Sequence, residues 1–549
     1  MIIPIVLSVF ALSDSYAQVI TLDVGKVKGF EYKTAKGDIA EVFLNIPYSE
    51  PPLENLRFRK PRIPKDWTEI RDGTKFGPVC HPIVREAVPS GAQASEDCLT
   101  LNIIRPKKKP PMSGYPILFW IHGGGYSVGS AFEVGYKSLA DIYVPGDIIV
   151  VTIQYRLGVY GFFSSGDERV LGNLGLFDIA EALKFVYGNA AYIGGDQSRI
   201  TVWGHSAGAG AAGQLILSPI TRDMVNQSIE MSGSPWASWA LGANVVKNSM
   251  ELAKLFECDR NIRGCLRKKS PDEIYDAVEK LWGPVIDKVF LYHPDDLILL
   301  APRKKSIIGF TNKEAALFTI MGVAPFLHKF GINPSNYPEW TREKLVSTIK
   351  KYVELVYTGS DAQNIIDNLV SYYVDKGEEK NYEFYIDRYT QFISDAIFNV
   401  PIVDGILSRR KAGWTIYAYF LDHYNDAIWN DRVPKRLRGA AHASEFPYIN
   451  GMHMLGDFTF DENEQRIADI FQQSIIEFVK SGVAVNQHEI WHDTGKGAKL
   501  EYLRIAPHSE MKQGLNNETI DFWHKLRNHS FDLVELMPSR NNKRLLESG

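Results

Sequence analysis

Arg199-Ile200-Thr201-Val202-Trp203-Gly204-His205-Ser206-Ala207-Gly208 runs directly into Ala209-Gly210-Ala211-Ala212-Gly213 and Leu215-Ile216-Leu217. Ile200 to Trp203 is β-branched and aromatic, the composition of a buried strand. The small residues around Ser206 permit a sharp strand-to-helix turn that lifts one hydroxyl clear of the backbone. The helix that follows starts with unpaired backbone N–H groups at its tip. A second G-x-S-x-G match, Gly125-Tyr126-Ser127-Val128-Gly129, is not directly preceded by a strand and sits inside another motif. Ser206, not Ser127, is therefore the candidate nucleophile.

Further apolar runs of strand length flank this stretch: Pro116 to Ile121, Asp147 to Ile153, Ser306 to Phe310 and Thr415 to Phe420. They are continuous rather than alternating, so both faces of each are covered, as in a parallel sheet. Between them lie helical patterns. Leu176, Ile179, Ala180, Leu183 and Val186 recur at three- and four-residue steps. The fold class expected is α/β, with a large, mostly parallel central sheet and helices on both faces. The stretch from about 320 to 400 reads as helical and mixed in charge, an insertion or lid rather than a second domain. No linker or internal repeat divides the chain. One domain is expected over residues 18–535, followed by a polar tail, 536–549.

Hydrophobic residues make up 45% of the 549 and charged residues 23%, which excludes general disorder. With 61 Lys+Arg against 65 Asp+Glu the net charge is −4, and no basic stripe suggests a nucleic-acid partner. Ile2 to Leu12 is apolar but too short to span a bilayer. Ser15-Tyr16-Ala17 then supplies small residues at −3 and −1 of a cleavage site, so residues 1–17 read as a signal peptide cut after Ala17. No later run is long enough for a membrane span, and no retention signal ends the chain. Secretion, or residence in the secretory lumen, is the expected fate.

The four cysteines allow three connectivities. Loop-closure cost favours the local pairs, Cys80 with Cys98 and Cys258 with Cys265, and a secreted chain favours disulfides over buried thiols. No His cluster accompanies them, so no zinc site is expected. Sequons fall at Asn226, Asn517 and Asn528. Asn517 and Asn528 have polar surroundings and are the expected glycosylation sites. Asn226 precedes the apolar Ile229-Glu230-Met231 and is expected to be unmodified.

The strand ending at Ile121 runs into His122-Gly123-Gly124-Gly125. Acyl transfer builds charge on a carbonyl oxygen, and that charge needs preorganised N–H donors. Glycines let the backbone approach, so Gly124, Gly125 and Ala207 are the candidate oxyanion donors. No G-K-[S/T] follows, which argues against a phosphate cradle. A serine hydroxyl also needs a base, and the base an orienting acid. Among 13 histidines spacing alone does not choose. The best contexts follow strands: Thr311-Asn312-Lys313-Glu314-Ala315, and Gly439-Ala440-Ala441-His442-Ala443-Ser444-Glu445. Acid then base, both after the nucleophile, is the order of an α/β-hydrolase.

The chain resembles the type-B carboxylesterase and cholinesterase family over nearly its full length. The resemblance is carried by Asn55 to Arg59, Ser95 to Asn102, His122 to Gly125, Tyr155 to Gly158, Gly172 to Leu176, the turn at Ser206, Gly309 to Glu314 and Gly439 to Glu445. It implies an α/β-hydrolase fold and a Ser206–His442–Glu314 triad, with no metal or organic cofactor. It also implies disulfides Cys80–Cys98 and Cys258–Cys265, and buried pairs Arg57–Glu96 and Arg156–Asp178. It places Ser232 behind the triad acid and Trp239 against the acyl group. Three positions depart from the family: Ala315 and Ala443 replace glycines, and Ile179 replaces the usual Gln. An alanine costs little at negative φ and strains the site at positive φ.

The function expected is serine carboxylesterase action on small-molecule esters. A cholinesterase would read its cationic substrate with a Trp inside the first disulfide loop. Residues 81–97 contain no Phe, Tyr or Trp, and His205 stands where cholinesterases carry Glu. A non-catalytic adhesion protein of the same family would have lost the triad, whose positions are all filled here. The residues set neither the natural ester nor the oligomeric state.

Overall fold

The computed structural model describes residues 18–533, except 243, 259, 279–282, 324–329 and 378. The expected leader, 1–17, and the tail, 536–549, lie outside the described residues.

The sheet has eleven strands. In chain order they are β1 (Phe30–Lys33), β2 (Ile39–Pro47), β3 (Thr100–Pro106), β4 (Tyr115–Ile121), β5 (Ile149–Ile153), β6 (Gly195–His205), β7 (Gln227–Met231), β8 (Lys305–Thr311), β9 (Thr415–Leu421), β10 (Glu501–Ile505) and β11 (Glu510–Gln513). Their spatial order is β11-β10-β9-β8-β7-β6-β4-β5-β3-β2-β1. From β5 through β4 to β10 every pairing is parallel. The antiparallel pairings lie at the two ends. The expected runs all become strands; most are longer by one or more residues, whereas the run from Asp147 begins its strand only at Ile149, because Asp147 adopts a left-handed turn.

All seven residues of β4 are buried, and the pleat sends them to two cores. Ile117, Phe119 and Ile121 face one; Leu118 and Trp120 face the other. Helix α1 (Leu174–Asn189) and helix α2 (Ala207–Leu217) cover the first face with Leu176, Ile179, Leu183, Ala211 and Leu215. On the first face too is a late group: α3 (Arg342–Val356), α4 (Ala362–Val370), α5 (Tyr382–Ser394), α6 (Val400–Lys411) and, after the next helix, α8 (Asn517–Leu526). Helix α7 (Glu462–Ser481) covers the second face through Ile467, Ile470, Phe471 and Phe478. Each large apolar side chain so buried contributes about 1.5–3 kcal/mol. The helices of the 320–400 stretch share the core of the central sheet, since Leu345, Ile349 and Ile365 belong to the same cluster as Phe119.

The connectivity fixes where a site can form. β5 lies on one side of β4, and the chain then crosses to place β6 on the other. Loops leaving the carboxyl ends of β4 and β6 therefore part in opposite directions and leave a crevice. The His122 glycines follow β4, and Ser206 follows β6.

Asn226 is exposed just before β7, contrary to the surroundings expected from sequence; Asn528 is exposed and Asn517 half-buried. Among the described residues no helix is long and apolar enough to cross a membrane.

Candidate active site

Ser206 joins β6 to α2 with φ 57° and ψ −124°. A non-glycine residue in this sparsely populated region carries strain of roughly 1–3 kcal/mol. Backbone bonds hold it: Ser206 N–H donates to Met231 O at 2.8 Å, and Gly210 N–H to Ser206 O at 3.0 Å. The flanking glycines are obligatory. A Cβ on Gly204 would lie 2.1 Å from Gly208 O, and one on Gly208 would lie 2.1 Å from Ile121 O. Ala207 opens α2, with its N–H among the unpaired donors of the first turn.

The loop after β4 meets this turn. Gly124 and Gly125 adopt φ 106° and 60°. His122 stacks on Tyr155 with ring centroids 4.4 Å apart, and the Tyr155 hydroxyl donates to His122 O at 2.9 Å. Burial pushes the His122 imidazole down to about 4, so it is a neutral prop for the glycine loop. Ser127 is wholly buried in that loop.

The loops after β8 and β9 are joined by their backbones. Lys313 bridges Ala441, Lys313 N–H donates to Ala440 O at 2.9 Å, and His442 N–H to Glu314 O at 3.2 Å. These bonds bring Glu314 Oε2 to 2.6 Å from His442 Nδ1, across 128 residues of sequence. Glu314 Oε1 accepts from Thr311 N–H and Ser232 Oγ, each at 2.7 Å. Both side chains are buried. The far nitrogen of the ring, His442 Nε2, is buried and has no hydrogen-bond partner among the described residues.

A sequence model of the carboxylesterase family matches residues 16–523 of this chain. The chain belongs to the carboxylesterase family. It is 38% identical to gut esterase 1 of Caenorhabditis briggsae over 538 residues, covering 94% of each chain. It is 37% identical to gut esterase 1 of Caenorhabditis elegans, again over 94% of each. Against liver carboxylesterase 1F of Rattus norvegicus identity is 28%, over 91% of this chain and 92% of the relative. This carboxylesterase is thus a carboxylic ester hydrolase acting on small-molecule esters.

Two disulfides brace this carboxylesterase, Cys80–Cys98 and Cys258–Cys265. Arg57 pairs with Glu96 at 2.6 Å beside the first. Arg156 grips Asp178 through Nε and Nη2 at 2.7 and 2.6 Å, tying the loop after β5 to α1. Of the two alanines beside the acid and the base, Ala315 has φ −73° and is unstrained, whereas Ala443 sits at φ 72°. The strain at Ala443, roughly 1–2 kcal/mol, is borne without losing the 2.6 Å bond of its neighbour His442. Trp239 is half-buried, with its indole N–H on Ile397 O at 2.8 Å.

Glu445 is the participant that sequence reading passed over, although it lies three residues beyond His442. It is wholly buried, with Oε1 2.9 Å from Ser232 Oγ and 3.0 Å from Tyr419 Oη. Ser232 has one proton and touches both carboxyl groups. When that proton is given to Glu314, the contact with Glu445 needs a proton from Glu445 itself. Burial and the charge of Glu314 push Glu445 up to about 8, in accord with a neutral acid. His205, packed 4.5 Å from the His442 ring, is pushed well below its ordinary value by burial and stays uncharged.

The folded value of Glu445 lies above its unfolded value, 4.5. Its contribution to stability is therefore full below the unfolded value and is lost as pH rises through the folded one. Glu445→Gln, a fixed neutral mimic, is expected to keep kcat within about tenfold and to gain in melting temperature relative to the parent from about pH 5 to about pH 9. Parallel melting curves across that range would mean Glu445 is charged throughout.

Proposed function

We propose that this carboxylesterase works through an acyl-enzyme on Ser206. The observation carrying the reading is the buried Glu314–His442 bond, with no partner for His442 Nε2 among the described residues, and with the His442 ring 4.5 Å from that of His205, the residue before Ser206. Ser206 Oγ attacks the ester carbonyl and its proton passes to His442 Nε2. Glu314 holds the tautomer with hydrogen on Nδ1 and stabilises the imidazolium. The tetrahedral oxyanion is received by the N–H groups of Gly124, Gly125 and Ala207. Collapse breaks the C–O bond, and His442 returns the proton to the leaving alcohol. Water then attacks the acyl-serine by the same route, releasing the acid and restoring Ser206. No step calls on a cofactor.

The ester is not a choline ester in this reading. Residues 81–97 offer no Phe, Tyr or Trp for a cation, and His205 is uncharged beside the nucleophile. Two disulfides and the lack of a membrane-crossing helix among the described residues fit a secretory protein. Removal of residues 1–17 and glycans on Asn517 and Asn528 complete that proposal. The direct test is mass spectrometry after treatment with an organophosphate. The adduct is expected on the peptide containing Ser206, and an adduct confined to another serine would overturn the assignment.

Trp239 forms the acyl-side wall in this reading. Trp239→Ala is expected to favour butyrate and hexanoate esters over acetate by roughly 1–3 kcal/mol in kcat/KM. A p-nitrophenyl ester panel reads this; a profile matching the parent's would make Trp239 a core residue only.

A further inference from the structure

Asn226-Gln227-Ser228 is an N-x-S tripeptide at the entry to β7. The apolar residues after it predict burial, and the structure reverses this for Asn226 alone. Val225 before it and Gln227 after it are buried, whereas Asn226 is exposed. The reason is the pleat. Asn226 points away from its two neighbours, on the side that Ser228 also takes. Ser228 lies one repeat further into the sheet and is wholly buried, while Asn226 stops short of that cover. The bond that seats Asn226 uses the backbone: its N–H donates to Ile200 O at 2.9 Å, on the neighbouring β6.

The other two residues of the tripeptide are locked in the sheet. Gln227 Nε2 donates to Thr201 Oγ1 at 3.0 Å and to Phe478 O at 2.5 Å. Ser228 Oγ donates to Glu230 Oε1 at 2.7 Å and lies 2.8 Å from Ser306 Oγ. A glycosyl transferase that reads N-x-S needs the tripeptide extended and its hydroxyl accessible, and the folded chain offers neither. Modification of Asn226 therefore has to precede the closing of β7 between β6 and β8. Once the sheet has closed, the saccharide sits on the one residue of the three that reaches solvent, so it does not oppose folding.

We propose that Asn226 is an N-glycosylation site, filled while the chain is still unfolded. The inference rests on the reading that the chain enters the secretory lumen. The co-substrate is an oligosaccharide carried on a polyprenyl diphosphate. The Asn226 amide nitrogen bonds to the anomeric carbon and gives up one proton. The bond from that carbon to the diphosphate oxygen breaks, and the polyprenyl diphosphate leaves with the electron pair. Nothing is oxidised or reduced. The position also decides what the glycan leaves alone. Ser232 follows β7 at its carboxyl end, beside the catalytic loops, whereas Asn226 precedes β7 at its amino end. The two lie at opposite ends of an extended strand, about 20 Å apart. The saccharide thus covers the end of the sheet away from Ser206, and ester access is unaffected.

The test expresses the full chain in an insect-cell secretory host. The secreted enzyme is digested with peptide N-glycosidase in oxygen-18 water, which turns a glycan-bearing Asn into labelled Asp. Label is expected at position 226. Asn528, exposed in the turn after α8, reports passage through the lumen independently. Asn226→Gln should remove the mass of one glycan from the intact enzyme and keep kcat/KM for p-nitrophenyl acetate within about twofold. Ser228→Ala should empty Asn226 without altering it; if that buried change prevents folding, Asn226→Gln gives the same reading from the surface. Unlabelled Asn226 in the secreted enzyme, or an intact mass that Asn226→Gln changes only by the substitution itself, overturns the inference. A chain that is not secreted and keeps residues 1–17 instead overturns the secretory reading beneath it.

Discussion

Ser206→Ala is expected to fold like the parent and to lose at least ~10⁴-fold in kcat, while Ser127→Ala stays within about tenfold. The size of the first effect follows from what is removed. On the proposed acyl-enzyme mechanism, loss of Oγ removes the covalent intermediate and leaves only the oxyanion donors and substrate binding. The fold should survive because the turn is held by backbone bonds to Met231 and Gly210, and alanine meets the same positive φ as serine. Matching thermal melts, with esterase assays on both variants, check the pair. The opposite ranking would move the nucleophile to the loop after β4.

Glu314→Gln is expected to cost about 10³–10⁴ in kcat and about 1–3 kcal/mol in stability. Both oxygens of Glu314 serve as acceptors. Oε1 receives Thr311 N–H and the Ser232 hydroxyl, and Oε2 receives His442 Nδ1–H. Glutamine has one acceptor oxygen. Its amide nitrogen must face either the Thr311 N–H, leaving a buried donor unpaired, or His442, forcing the wrong tautomer. A further consequence is diagnostic. The Glu314 charge is one of the causes that raise Glu445. In Glu314→Gln the melting temperature should therefore fall less steeply with rising pH than in the parent. An undiminished rate would mean that another acid orients His442.

The parts of this molecule legible in the sequence are those set by near neighbours. Continuous apolar runs gave the parallel strands, because a strand covered on both faces has no polar side to show. The glycines at 204 and 208 marked the turn at Ser206, because no side chain fits between that turn and the adjoining backbone. Glu314 and His442 were narrowed from sequence only to good contexts after strands, and the family resemblance paired them. Local pattern carries no information on which of many acids meets which histidine.

Tertiary structure alone decided the rest. The upward shift of Glu445 depends on its burial and its nearness to Glu314, which lies on another strand's loop. The tolerance of Ala443 depends on a left-handed backbone that composition does not announce. Asn226 borders a buried strand yet faces solvent, because exposure depends on which end of the sheet a strand enters from. The indole N–H of Trp239 finds its acceptor, Ile397 O, more than 150 residues later in the chain, a pairing no local pattern announces. Periodicity and steric fit act between chain neighbours, whereas proton sharing, strain and specificity arise from atoms that only the folded chain brings within a few ångströms of one another.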